Sequence, residues 1–295
     1  MHVIYFSKAP ALALPPGTVA AAGGLFSGFK LRRQRPDAAI CASPAVQIAG
    51  AWPQIGLCRS PEDAYRYRPG THLVAATKAC AAQLAQKGRE VICLPMPLPD
   101  MASALGNGAP HILAVAPLVR ASNLDLLLKA VAGRVDVTVT LAGEGSARED
   151  LAELAGRLKL RVNFIAHATP EDYQRATLIV HPVRADMEGA AIRAAHASAR
   201  PLIAAATEAA RELIVPNETG LLIPLNDVAA LGHSIGLVIE EPGLAAALAQ
   251  AGHEFHLRSF GQGLIDQRWQ RYLGSIIAPP PSLSKSQESF NVRRI

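Results

Sequence analysis

The residues with the clearest chemical potential in this chain are Gly143-Glu144-Gly145-Ser146, which follow the apolar run Val137–Ala142 and precede a helical pattern at Leu151, Leu154 and Leu158. A Gly-x-Gly turn leaving a strand for a helix lets backbone amides approach a phosphate at the positive helix end. Tight strand-to-helix turns also use glycine for steric reasons alone, and the sequence weighs the two readings evenly. A second chemical feature is the basic cluster Lys30, Arg32, Arg33 and Arg35, which suits an anionic membrane surface or a phosphorylated substrate; a solvated helix face explains four charges as well. Metal chemistry has no visible home. The four cysteines, Cys41, Cys58, Cys80 and Cys93, show no Cys-x-x-Cys spacing, and the nine histidines are scattered, with His253 and His256 the nearest neighbours.

The elements that must position these residues follow from apolar patterning. The 295 residues are 50% hydrophobic and 18% charged, enough for two domains of ordinary size. No run long and apolar enough to span a membrane occurs, and no basic flank precedes a cleavable apolar stretch. A cytoplasmic protein with reduced thiols is therefore expected. Residues 1–108 hold 11 Lys+Arg against 5 Asp+Glu, and the remainder 18 against 19, so the first half owns the basic character.

Short apolar runs alternate with helix-period segments along the chain, the pattern of βα units around buried parallel sheets. In the first half strands are expected at 2–6, 38–42, 55–58, 72–76 and 90–94. Helices are expected over Thr18–Gln34, which is rich in Ala and Gly, and over Thr77–Lys87, which Gly88 stops. Ser60-Pro61-Glu62-Asp63 reads as a helix start, with Ser60 as N-cap. A Pro- and Gly-rich stretch divides the halves, with the linker at 106–110. The second half is expected to carry strands at 111–116, 137–142, 162–165, 178–180, 202–205 and 220–224, with helices over 124–131, 208–213 and 228–240. A further helix starts at Pro242, and a terminal one contains Trp269 and Tyr272. Residues 279–295, beginning Pro279-Pro280-Pro281, have a disordered composition.

The second half resembles the nucleotide-sugar-binding domain of the GT-B glycosyltransferases of family 4, the large retaining group 1 family. The resemblance is carried by Leu124-Asp125-Leu126-Leu127-Leu128, Ala142-Gly143-Glu144-Gly145, Val162-Asn163-Phe164-Ile165, His181-Pro182, Pro201-Leu202-Ile203-Ala204, Glu212-Leu213-Ile214 and Gly220-Leu221-Leu222-Ile223-Pro224. The first half resembles the family more faintly, through Arg35-Pro36-Asp37 and Leu73–Thr77, and is shorter than usual. The implied fold class is α/β, GT-B, with two Rossmann-like domains whose parallel sheets face a cleft. The implied division is an acceptor-side domain at 1–105, a nucleotide-sugar-binding domain at 111–265, and a terminal helix at 266–278 that crosses back. The implied activity is transfer of a hexosyl unit, with retention, to a lipid-linked or polysaccharide acceptor of the cell envelope. The donor is a nucleotide sugar, whether UDP-, GDP- or ADP-linked, and no cofactor, metal or nucleic acid is called for.

The resemblance also assigns site residues, and there the sequence departs from the family. Its paired Glu residues, separated by seven positions, fall at Asp186 and Ala194, leaving Asp186 and the nearby Glu188 as candidate catalytic carboxylates. Gly189 keeps the small residue that lets amides approach the sugar. Gly143, Glu144, Gly145, Gly189 and Glu212 are the implied donor-binding residues. The Arg and Lys that neutralise the diphosphate correspond to Pro117 and Ser122, so Arg120 is the candidate substitute. Cys41 and Ser43 stand where the family places a His near the acceptor. These losses support an alternative, a catalytically inactive relative acting as a binding or scaffold subunit. A third reading, an unrelated doubly wound enzyme such as a nucleotide-sugar epimerase, needs a Gly-x-Gly-x-x-Gly after the first strand, and none follows it.

Overall fold

The computed structural model describes residues 3–7, 18–22, 38–41, 53–60, 62–106 and 108–277. The basic cluster at 30–35, Ser43 and the segment 279–295 lie outside the described residues. Two six-stranded parallel sheets organise the chain. The first contains β1 (Val3–Ser7), β2 (Thr18–Ala22), β3 (Ala38–Cys41), β4 (Gln54–Cys58), β5 (His72–Ala75) and β6 (Val91–Cys93), in the order β2-β1-β3-β4-β5-β6. The second contains β7 (His111–Val115), β8 (Thr138–Ala142), β9 (Arg161–Ile165), β10 (Leu178–His181), β11 (Leu202–Ala205) and β12 (Leu221–Ile223), in the order β12-β11-β10-β7-β8-β9. Its strand direction of winding reverses between β7 and β10, which pair directly through Leu178 with Ile112 and Ile179 with Leu113.

The apolar runs are continuous because both faces of each sheet are covered. Successive residues of a strand point to opposite faces. Ile112, Ala114, Val180 and Ile203 therefore enter one core, while Leu113, Ile179, Leu202 and Ala204 enter the other. The first sheet divides likewise, with Ala39 and Cys41 on one side and Ala38 and Ile40 on the other.

Among the described residues of the first half the helices are α1 (Asp63–Arg66) and α2 (Lys78–Gln86). The second half adds α3 (Leu124–Ala130), α4 (Arg148–Arg157), α5 (Pro170–Arg175), α6 (Ala190–Ala197), α7 (Glu208–Leu213), α8 (Val228–Glu240), α9 (Pro242–Phe260) and α10 (Gln262–Ile277). The starts of α2, α5, α7 and α8 are fixed by side chains that satisfy the first free amides. Thr77 accepts from Cys80 at 3.2 Å, and Asp227 accepts from Ala230 at 2.8 Å. Thr169 and Asp172 form a reciprocal capping box.

Two expectations are corrected. Thr18–Ala22 is a strand, pairing in parallel register with β1 from Val3 and Thr18 onward, where the Ala-rich composition points to a helix. Hydrogen bonding along the sheet edge overrides a weak intrinsic preference there. Ser60 does not cap α1 through its side chain: its carbonyl accepts from Asp63 N, and the Asp63 carboxylate instead takes the Arg59 N–H at 3.0 Å.

The described residues of the path between the sheets, 94–106 and 108–110, form no helix or strand but are fastened to the second half. Leu98 and Met101 are buried in its core, and Met101 N donates to Ala197 O at 2.9 Å. The buried Arg193 donates to Met96 O at 3.0 Å, and the buried Arg200 donates to Ala104 O and Gln174 O. Helix α10 returns to the first sheet. Ile265, Trp269 and Leu273, spaced one helical turn apart, are fully buried against Ala38, Ile40, Ile55 and Val74. Trp269 Nε1 donates to Pro95 O at 2.8 Å, so the indole has its polar partner as well as its apolar burial.

Candidate functional site

A cleft of about 850 Å³ opens beyond the carboxyl ends of the second sheet's strands. It lies where open parallel sheets bind ligands, at the switch between β7 and β10. One wall follows β7 and β8 with Ala116, Pro117, Gly143 and Glu144; another follows β10 with His181, Asp186 and Glu188. The first half contributes Arg59 and Ser60, just past the end of β4, and Asp63 at the start of α1. The volume falls within the usual range for a small-molecule site.

The loop after β10 is shaped by one carboxylate. Asp186 Oδ1 accepts from Glu188 N at 2.9 Å and Gly189 N at 3.0 Å, while Oδ2 meets His181 Nε2 at 2.8 Å. Burial pushes this carboxyl up, but the His181 contact and the two amides outweigh burial and bring it down to about 2. Asp186 is thus an anion that organises its own loop. Glu188 is shifted the other way: burial raises it, Asp186 and Asp63 add to the rise, and Arg193 and Arg59 oppose it. A carboxyl that holds its proton more firmly is suited to donating one.

The glycines have different duties. A Cβ on Gly143 would collide with Ala116 O, and one on Gly145 with Leu118 O; both residues also lie at positive φ, 153° and 154°. That close approach is made by the adjoining loop, which donates Leu118 N to Glu144 O at 2.9 Å. The steric reading therefore accounts for both glycines. Gly143 and Glu144 line the cleft, whereas Gly145 does not. Gly189, left-handed at φ 64°, precedes α6, and a Cβ there would strike Leu213. It too stands behind the cleft wall.

Two other expected site residues are elsewhere. Arg120 is exposed on a 3₁₀ turn, Arg120–Ser122, and is not part of the lining. Glu212, on α7, reaches the first half, where its carboxylate accepts from Lys78 N at 2.9 Å and Ala79 N at 3.0 Å. It satisfies the amides of α2 that Thr77 leaves open, so its place is between the two halves. Thr77 Oγ1 adds a hydrogen bond to Met187 O at 2.6 Å.

Pro117, Ser122 and Ala194 all line the cleft, so the positions where charges were expected face it with none. Among the described lining residues the one guanidinium is Arg59, against the carboxylates of Asp63, Glu144, Asp186 and Glu188. Sequence reasoning missed Arg59, Asp63, His167 and His181. His181 was discoverable, since it ends an apolar strand at the switch point; Arg59 and His167 follow strands in the same way. Among the described residues no group of three or more His, Cys, Asp and Glu side chains is placed to hold a metal ion. Nor is any helix long and apolar enough to cross a membrane.

This arrangement of two facing parallel sheets is the GT-B glycosyltransferase fold. The crystal structure of Anabaena Alr3699/HepE in complex with UDP-glucose superposes with a TM-score of 0.76 at 16% identity, covering 93% of this chain and 100% of that one. Sucrose-phosphate synthase (tll1590) from Thermosynechococcus elongatus superposes with a TM-score of 0.69 at 18% identity, covering 84% of this chain and 76% of that one. At these identities the likeness concerns the fold. Residues 101–255, more than half of the chain, match the family model of the group 1 glycosyl transferases, and the chain belongs to that family. The lipopolysaccharide core biosynthesis glycosyltransferase LpsE of Rhizobium meliloti (strain 1021) is 25% identical over 171 residues, 57% of this chain and 50% of that protein. Alpha-D-kanosaminyltransferase of Streptomyces kanamyceticus is 26% identical over 152 residues, 48% of this chain and 39% of that protein. The chain thus spans half or less of the length of these curated relatives.

Proposed function

We propose that this protein takes a nucleotide sugar into the cleft between its two sheets and transfers a hexosyl unit to a glycan or lipid-linked acceptor. The carrying observation is the position of Asp186 and Glu188 at the end of β10, on the wall of a cleft that both halves line. In this reading Asp186 holds the loop, and Glu188 is the carboxyl presented to the sugar. The two lie two residues apart yet have pKa values displaced in opposite directions, the pattern by which neighbouring carboxyls take different roles. The likeness to LpsE supports a cell-envelope polysaccharide as the acceptor. A location at the inner membrane face, through Lys30, Arg32, Arg33 and Arg35, accords with such an acceptor.

A specific observation favours a second reading, a binding subunit without transferase activity. Ala194 faces the cleft in place of a carboxylate, and the lining carries more acid than base, which opposes a diphosphate. Two measurements decide. Calorimetric titration with UDP, GDP and ADP tests donor binding, and a radiolabelled nucleotide-sugar assay with and without lipid-linked acceptor tests turnover. Binding with turnover supports the transferase, and turnover that Glu188→Gln abolishes gives Glu188 its role. Binding without turnover supports the subunit, and absence of nucleoside diphosphate binding rejects the transferase.

A further inference from the structure

We propose that Arg59, from the first half of the chain, is the residue that pairs with ligand phosphate in the cleft. The inference rests on the nucleotide-sugar reading for the identity of that ligand, but it concerns a residue which that reading does not name. Three observations carry it. Arg59 is the one Lys or Arg side chain among the described residues lining the cleft. Pro117 and Ser122, also lining it, offer no charge, and Arg120 is turned to solvent outside the lining. The guanidinium is also poorly committed: its ion pair is Nε to Asp63 Oδ2 at 3.8 Å, with the side chain 55% exposed.

The local geometry explains how Arg59 is presented. The Asp63 carboxylate, only 10% exposed, accepts the Arg59 backbone N–H at 3.0 Å and so fixes the turn after β4. The backbone is anchored while the side chain lines the cleft and stays more than half exposed, and its planar guanidinium fork is a shape that matches two phosphate oxygens at once. The charge of Arg59 also reaches Glu188 on the opposite half. Asp63 is the competitor: it lies nearest to the guanidinium and opposes any incoming anion.

The test is calorimetric titration of the full chain with UDP, GDP, ADP and inorganic pyrophosphate. Arg59→Gln should weaken nucleoside diphosphate binding roughly ten- to hundredfold, the span of a charge-assisted hydrogen bond. Arg59→Lys should recover part of the loss. Asp63→Asn, which keeps an oxygen acceptor for the Arg59 amide, should tighten binding, and the exposed Arg157→Gln should leave it unchanged. Thermal unfolding of each variant verifies folding. If Arg59→Gln binds nucleoside diphosphates as the unaltered protein does, or Arg120→Gln alone loses them, the assignment is overturned while the nucleotide reading stands. If the unaltered protein binds pyrophosphate in an Arg59-dependent manner but no nucleoside diphosphate, the phosphate site stands and the nucleotide reading falls. Failure to bind either probe overturns both.

Discussion

His181 and Asp186 meet at 2.8 Å where β10 ends, and the same carboxylate takes the amides of Glu188 and Gly189. A side chain expected to work on a ligand thus spends its lone pairs on its own loop. Asp186→Asn should therefore change stability as well as function. Its carboxyl lies at about 2 in the folded chain, against an ordinary value of 3.8. A carboxylate with a depressed folded pKa contributes stability that is complete above about pH 4 and lost as pH falls through about 2. The shift corresponds to roughly 2 kcal/mol. Urea unfolding should show Asp186→Asn less stable by about that amount near pH 7, with the gap narrowing below about pH 4; a gap that ignores pH would count against the carboxylate.

His196 predicts an acid sensitivity in a higher window. It is buried on α6, with Nε2 2.9 Å from Thr219 O, and Gly252 leaves room for its ring. Burial lowers it to about 4, and the weaker Thr219 contact acts in the opposite direction. Folding favours the neutral ring, so its contribution is full above the ordinary value of 6.5 and is lost as pH falls toward 4. The loss should approach roughly 3 kcal/mol. His196→Gln should flatten the dependence of the unfolding midpoint between about pH 7 and pH 5, and His256, also lowered to about 4, should supply the slope that remains.

Glu212 should prove to be a residue of the boundary between the halves. Removing its carboxylate strands the amides of Lys78 and Ala79 at the start of α2. Glu212→Ala should cost about 1–2 kcal/mol, the usual consequence of losing a helix cap. Small-angle scattering should show a larger radius of gyration as the halves separate. Glu212→Gln, which keeps one acceptor, should lose less; equal stability of all three proteins would remove the clasp.

Adding cations and adding acids to the cleft should have opposite effects. Pro117 is exposed on the lining, and Pro117→Arg should tighten nucleoside diphosphate binding by roughly tenfold. Ala194 is 2% exposed, beside a wall that already carries Asp186 and Glu188. Ala194→Glu should weaken binding and stability together, because it buries a further carboxylate among like charges. Calorimetry and thermal unfolding of the two variants test the sign of each effect.

The strands were legible because both faces of each sheet are buried, so runs such as Leu202-Ile203-Ala204-Ala205 need no polar alternation. The caps were less legible: Thr77 and Asp227 cap their helices in the structure without having been singled out, whereas Ser60, the cap expected from local sequence, does not cap through its side chain. Thr18–Ala22 was misread because a partner strand, absent from local sequence, decides its conformation. The candidate cleft was legible along β10 and its loop and at Gly143-Glu144 after β8, which line it, but not where the two halves meet. Glu212 and Lys78 are 134 residues apart, and nothing near either announces the other. Arg59 was overlooked for the same reason: its importance arises from what Pro117 and Ser122, on another sheet, fail to provide.

The return of α10 makes the first half discontinuous in sequence. A fragment ending near residue 105 would contain all six strands of the first sheet and still lack Ile265, Trp269 and Leu273, leaving Ile40, Ile55 and Val74 open to water. Each large side chain uncovered forfeits about 1.5–3 kcal/mol, a large share of the net stability of a small domain. One face of the first sheet is therefore covered only once α10, more than 160 residues further along the chain, has been made.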